Sequence, residues 1–267
     1  MNNKLIAAAA VAGFLLSPVA MAVPFGVNSQ TAPNYNFTTD EITITSVGVA
    51  AITITDSAPP VGLSNGDTFI EMGLVSAVNF QNNNINVPLA QSGINLGYEL
   101  FSTYNFTGTI AIVGTNVIAT MTSGGGTLSR DLNLAPGLQG GALTVGTLNL
   151  APGAGSCTIS SLTFNNGSCA FAFTLTPQNG FFLQGGAGGP ALGVATFLVD
   201  INIDQLVGAG GGAVANLAQL NACLAAGNGV CALSADHDGS ARIPEPGSLA
   251  LLGLALAGLG AMRRKRA

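Results

Sequence analysis

Apolar and polar side chains alternate with period two along much of this chain. Glu41-Ile42-Thr43-Ile44-Thr45-Ser46-Val47 is one such run, and residues 51–55 repeat it across Gly48. The pair predicts a hairpin or one long kinked strand. Residues 68–80 predict a strand that Asn82-Asn83-Asn84 breaks. Residues 98–107 and 109–121 predict a pair joined at Gly108 and ended by Gly124-Gly125-Gly126. Residues 143–150, 158–164, 169–176 and 194–203 bring the expectation to about nine or ten strands. Only residues 213–226 change period, with Val214, Leu217, Leu220 and Leu224 at helical spacing and Gly227 at the C′ place.

Short strands separated by Gly, Pro and Asn predict a mainly β fold, an antiparallel β-sandwich with one short helix packed on one end. A solenoid would need a fixed repeat length, and none is present. The most polar stretch, 234–243, reads as a tether after a domain of residues 23–233. Asn and Thr, rather than Lys and Glu, supply the polar positions.

The two ends of the chain break the pattern. At the start, Lys4 precedes an apolar run of residues 5–16, and Ala20-Met21-Ala22 offers a small-x-small cleavage site before Val23. This arrangement predicts a signal peptide over residues 1–22, handled by the export machinery and signal peptidase. At the finish, Pro244-Glu245-Pro246 leads into residues 249–262, which hold only Leu, Ala, Gly and Met. Arg263, Arg264, Lys265 and Arg266 follow. With Gly247 and Ser248, about 16 residues make a helix of roughly 24 Å, short of a roughly 30 Å hydrocarbon core unless the terminal cations snorkel and the bilayer thins. The basic tail stays on the cytoplasmic side.

Those ends also carry most of the positive charge. The formal net charge is −5 for the whole chain, but only Arg130 and Arg242 lie between the two segments. Against twelve acids, residues 23–246 therefore carry −10. Nucleic acid is excluded as a partner, since phosphate contacts need clustered Lys and Arg.

An exported chain favours disulfides over metal for its four cysteines. Cys223 with Cys231 would staple the helix end to the returning chain. Cys157 with Cys169 is the other local pair. If residues 165–168 form a four-residue loop, however, Cys157 lies seven positions beyond the residue opposite Cys169, about 20 Å away. Either the segment loops out or the pairing is not local. Neither spacing has a zinc-like two-residue gap.

No catalytic constellation, metal site or cofactor signature emerges. His237, the one histidine, lies in Asp236-His237-Asp238-Gly239-Ser240. Asp236, Asp238 and Ser240 begin like a calcium loop, but Arg242-Ile243-Pro244 stands where the bidentate Glu is needed. Asp200, Asn202 and Asp204 share a strand face, which reads as a solvent face rather than as paired hydrolytic carboxylates. The Gly-rich residues 185–189 lack a following Lys and helix start. An aromatic platform for carbohydrate would have to use Tyr35, the one aromatic expected to be exposed, or Tyr98.

The order of Pro244-Glu245-Pro246, short apolar span and basic tail over residues 244–267 resembles the PEP-CTERM sorting domain. The resemblance implies recognition by an exosortase, transient anchoring in the inner membrane, cleavage near Pro246, and delivery to the cell surface or extracellular matrix. More loosely, the region between resembles flocculation-associated proteins of that group. The shared features are Tyr98-Glu99-Leu100-Phe101, residues 106–109, Thr196-Phe197-Leu198-Val199-Asp200 and Asp238-Gly239-Ser240-Ala241. That resemblance implies a non-enzymatic role in aggregation or biofilm with exopolysaccharide as a partner. A polysaccharide-binding sandwich is the alternative.

Overall fold

The computed structural model describes residues 22–47, 50–57, 62–134, 137–139, 141–160, 164, 167–208, 211 and 213–243. The sorting residues Pro244, Glu245 and Pro246, the tail Arg263, Arg264, Lys265 and Arg266, and Ala20 lie outside them. Ala22 and Val23 are half-buried. Residues Pro24–Ile243 form one compact unit.

The folded unit is antiparallel β. Its elements run β1 (Phe25–Asn28), β2 (Asn36–Thr39), β3 (Glu41–Ser46), β4 (Ala50–Thr55), β5 (Thr68–Asn82), β6 (Ile85–Asn86) and α1 (Leu89–Ser92). They continue with β7 (Glu99–Val113), β8 (Asn116–Asp131), β9 (Leu143–Ser160), β10 (Gly167–Pro177), β11 (Phe182–Gln184), β12 (Ala195–Gly208), α2 (Leu217–Ala226) and β13 (Val230–Arg242). Among the described residues there are thus two short helices where one was expected, and more strands than the pattern revealed.

β3 and β4 are not a hairpin, since both lie against β5 in the same direction, from Glu41 opposite Gln81 to Thr55 opposite Thr68. From β5 the pairing passes through β7, β8, β9 and β10 to β12. β12 then pairs with β13, and β13 pairs with β3 and β4. Both edges of the sandwich are therefore joined by hydrogen-bonded ladders, and the sheet closes into a ring. A ring of eight strands has an interior just wide enough to be filled by side chains.

This corrects the tether. Residues 234–243 belong to β13 and its end, between two partners. Their alternation is real: Cys231, Leu233, Ala235, His237 and Ala241 are buried while Asp236 and Asp238 are exposed. Small inward residues conceal that period from a hydropathy reading. The calcium-loop reading falls with the tether, because a strand turns Asp236 and Asp238 outward instead of wrapping them round one point.

The predicted break at the glycine triplet is corrected too. β7 runs through Gly108 to a turn at Gly114-Thr115, and β8 runs through residues 124–126. A Cβ on Gly125 would stand 2.3 Å from the Leu148 carbonyl oxygen, and one on Gly126 2.3 Å from that of Thr103. These glycines let three strands approach closely rather than ending one. Residues 143–150 and 158–160 likewise belong to one strand, β9, with an irregular stretch opposite the step from Thr120 to Gly125 in β8, and Phe164 lies beyond it in a turn.

At one end lies the small sheet β11–β1–β2. Phe25 meets Phe182 and Phe197 at 5.9 and 5.8 Å between ring centroids, and Phe37 meets Phe80 at 4.9 Å. Arg130 reaches the carbonyls of Ser29 and Gln30 there. At the other end α2 is capped by Asn216, whose side chain accepts the Gln219 N–H, and it buries Leu220 and Leu224. Cys223–Cys231 fastens that helix to β13. Cys157–Cys169 joins residues directly opposite in β9 and β10. The length argument against that pair fails because the connection spans residues 161–166. Phe164 is drawn into the core, and its N–H is bonded to the Ala215 carbonyl.

Candidate functional site

Within the ring, one polar cluster interrupts the apolar lining. Glu71 points inward from β5 as part of the period-two series Phe69, Glu71, Gly73, Val75. His237 points inward from β13 and Tyr104 from β7. His237 Nε2 lies 2.7 Å from Glu71 Oε1, and the Tyr104 hydroxyl donates to the same oxygen at 3.2 Å. Glu71 and His237 are 7% and 3% exposed. Gly73 makes this possible, because a Cβ there would stand 2.4 Å from the Tyr104 hydroxyl oxygen.

The backbone explains why His237 sits where it does. β13 leaves β3 at Asp238 and takes up β4 at Ala235. At the gap the His237 N–H donates to Ser46 Oγ at 2.8 Å instead of to a ladder carbonyl. His237 Nδ1 lies 3.0 Å from the Asp236 carbonyl oxygen.

Burial alone would lower the imidazole pKa, but the hydrogen bond and charge of Glu71, helped by Asp236, raise it above its ordinary value. Burial and the neighbouring carboxylate push the Tyr104 hydroxyl far up, so it remains a neutral donor.

The cluster separates two apolar cavities. One, of about 70 Å³, is lined toward the aromatic end by Leu100, Tyr104, Phe173 and Phe197 among others. The second, of about 50 Å³, lies toward α2 between Glu71, Met121, Phe164 and Leu220. Ligand sites run to roughly 300–1,000 Å³, and both spaces are smaller. An imidazole held by a carboxylate and a tyrosine, walled by phenylalanines, has the chemistry of a buried tie between three strands. The outer face carries a shallow groove of about 510 Å³ bordered by Thr103, Asn105, Thr127, Thr147 and Asn149. Its walls are hydroxyls and amides.

Other residues singled out from sequence do not converge. Asp200 is exposed on β12 and pairs with Arg242 at 3.1 Å. Asp204 lies further along the same strand. Tyr35 is half-buried rather than exposed, its ring wedged against Gly93 and Gly97 and 6.3 Å from Tyr98. Tyr98 is fully buried. The two cannot form an aromatic platform in solvent. Among the described residues no three His, Cys, Asp or Glu side chains gather as a metal site. The cluster of Glu71, His237 and Tyr104 was missed. Its signal was an acid at an inward position of β5 and a histidine at an inward position of a strand read as linker.

Residues 242–266 match the family model described as the PEP-CTERM protein-sorting motif. The chain thus carries that sorting motif, which implies export, transient membrane anchoring and exosortase processing. No curated protein and no solved structure matches the chain.

Proposed function

We propose that the protein is a non-enzymatic component of the cell surface or extracellular matrix, acting in exopolysaccharide-associated aggregation or biofilm. The observation that carries this reading is the sorting motif over residues 242–266, which begins where the closing strand of a disulfide-bonded ring ends. A ring with a filled interior suits a component that persists outside the cell. Deleting the gene is expected to reduce aggregation or matrix retention, and intact mass of the extracellular protein is expected to show a chain from Val23 to near Pro246. Unchanged aggregation would remove the matrix role.

The second reading is a polysaccharide-binding module, and the observation favouring it is the outer groove of about 510 Å³ with its Thr and Asn walls. Polysaccharide pull-down that survives unchanged in Asn105→Ala/Asn149→Ala would end that reading.

A further inference from the structure

Most of the large apolar side chains that stay exposed among the described residues collect at one end of the ring. Ile85, Leu89 and Leu96 lie between β5 and β7, Leu132 and Leu134 follow β8, and Val194 precedes β12. Antiparallel pairing puts all three connections at the end where β13 finishes, since Arg242 lies opposite Leu198 and Glu41. Ile85 and Val194 are 71% and 69% exposed. Among the described residues Val113 and Val230 are exposed at the opposite end, and Ile70 and Met72 on the side of β5.

Two acids at the apolar end accept backbone N–H groups. Asp131 is buried and accepts the N–H groups of Asn133 and Gln139, and Asp40 accepts that of Asn83. Glu99 is pushed toward its neutral form by partial burial and by Asp131.

Covalent reach identifies what this end meets. Ile243 is buried at the end of β13, and residues 244–248 alone separate it from the apolar run starting at Leu249. Six Cα steps span at most about 20 Å. A chain held by residues 249–262 in a membrane cannot place this end of the ring farther away than that. Exposed apolar clusters of this kind mark interaction surfaces, and Leu and Val at loop tips suit the interfacial zone of a bilayer.

We propose that the apolar end of the ring rests on the lipid bilayer while the chain is anchored, with Leu96, Leu132 and Val194 dipped into the interface. The proposal rests on the anchoring that the sorting motif implies. The chain contains no Trp, so single substitutions report without background. Leu96→Trp, Leu132→Trp, Val113→Trp and Leu254→Trp would be made in the full chain and reconstituted in phosphatidylcholine vesicles containing brominated lipid. The expected result is quenching at Leu96→Trp and Leu132→Trp approaching that at Leu254→Trp, with none at Val113→Trp. Quenching at Leu254→Trp alone overturns the proposal and leaves the anchor standing. A blue-shifted but unquenched Leu132→Trp overturns it in favour of a protein contact, and no quenching at Leu254→Trp removes the anchor with it.

Discussion

The two ends of the ring are closed by different chemistry. At the α2 end two disulfides, Cys157–Cys169 and Cys223–Cys231, fix the chain covalently. There the buried Asp67 carboxylate also gathers the N–H and hydroxyl groups of Ser57 and Ser64 at 2.7–3.0 Å. At the other end no cysteine is present, and interlocking rings carry the closure, with Phe181 and Phe182 4.9 Å apart and Tyr98 6.0 Å from Phe181. The covalent end constrains the unfolded chain, whereas the aromatic end depends on packing in the folded one. The end that carries the approach to the sorting motif is thus the one able to loosen without breaking bonds.

The largest effect should come from the aromatic end. Phe182→Ala removes a fully buried ring and should cost about 4 kcal/mol. Hydrogen exchange should then speed up in β1, β2 and β11 first; equal loss of protection in α2 would mean that the ends are not independent. Next, Cys223→Ser/Cys231→Ser should cost about 2–3 kcal/mol through the short loop it opens, with exchange rising in α2 and at the start of β13.

Asp67→Asn should cost about 1.5 kcal/mol by weakening bonds to a charged acceptor. Burial would raise the Asp67 pKa, yet the bonds from Ser57 and Ser64 hold it below 3.8. Its stabilisation is therefore complete above that value and lost as pH falls through the lower folded value. A Tm that declines on acidification in the parent and less so in Asp67→Asn would show it.

The smallest effect belongs to the midpoint. Because His237 is raised above 6.5, its contribution is full below that pH and fades as pH rises through the folded value. The parent Tm should fall by a few degrees on the alkaline side, about 1 kcal/mol, and His237→Gln should flatten that slope.

Where inward positions are Ile, Val or Phe, as in β3, β4, β5 and β10, sequence alone located the strands. The helix was equally plain. What stayed hidden depended on partners. Gly124-Gly125-Gly126 looks like a break until the Thr103 and Leu148 carbonyls are seen beside it. β13 looks like linker from residue 234 onward because its inward residues there are Ala, Gly and His. Ring closure cannot be read from a single strand, since it is a property of the first and last strands together. Glu71 and His237 are far apart in sequence, and neither is unusual until pairing places them 2.7 Å apart.

The position of β13 also orders events in time. It is the last strand of the ring, and it must pair with β3 and β4, which emerge about 180 residues earlier, so the ring's longest-range contacts form only when the chain is nearly complete. In a chain threaded across a membrane from its N-terminus, every other strand can have emerged while the ring is still open. Closure waits until Arg242 has crossed, and by then the apolar residues from 249 onward are entering the bilayer. Arrest of the chain at its anchor and completion of its fold are therefore nearly simultaneous, separated by a handful of residues.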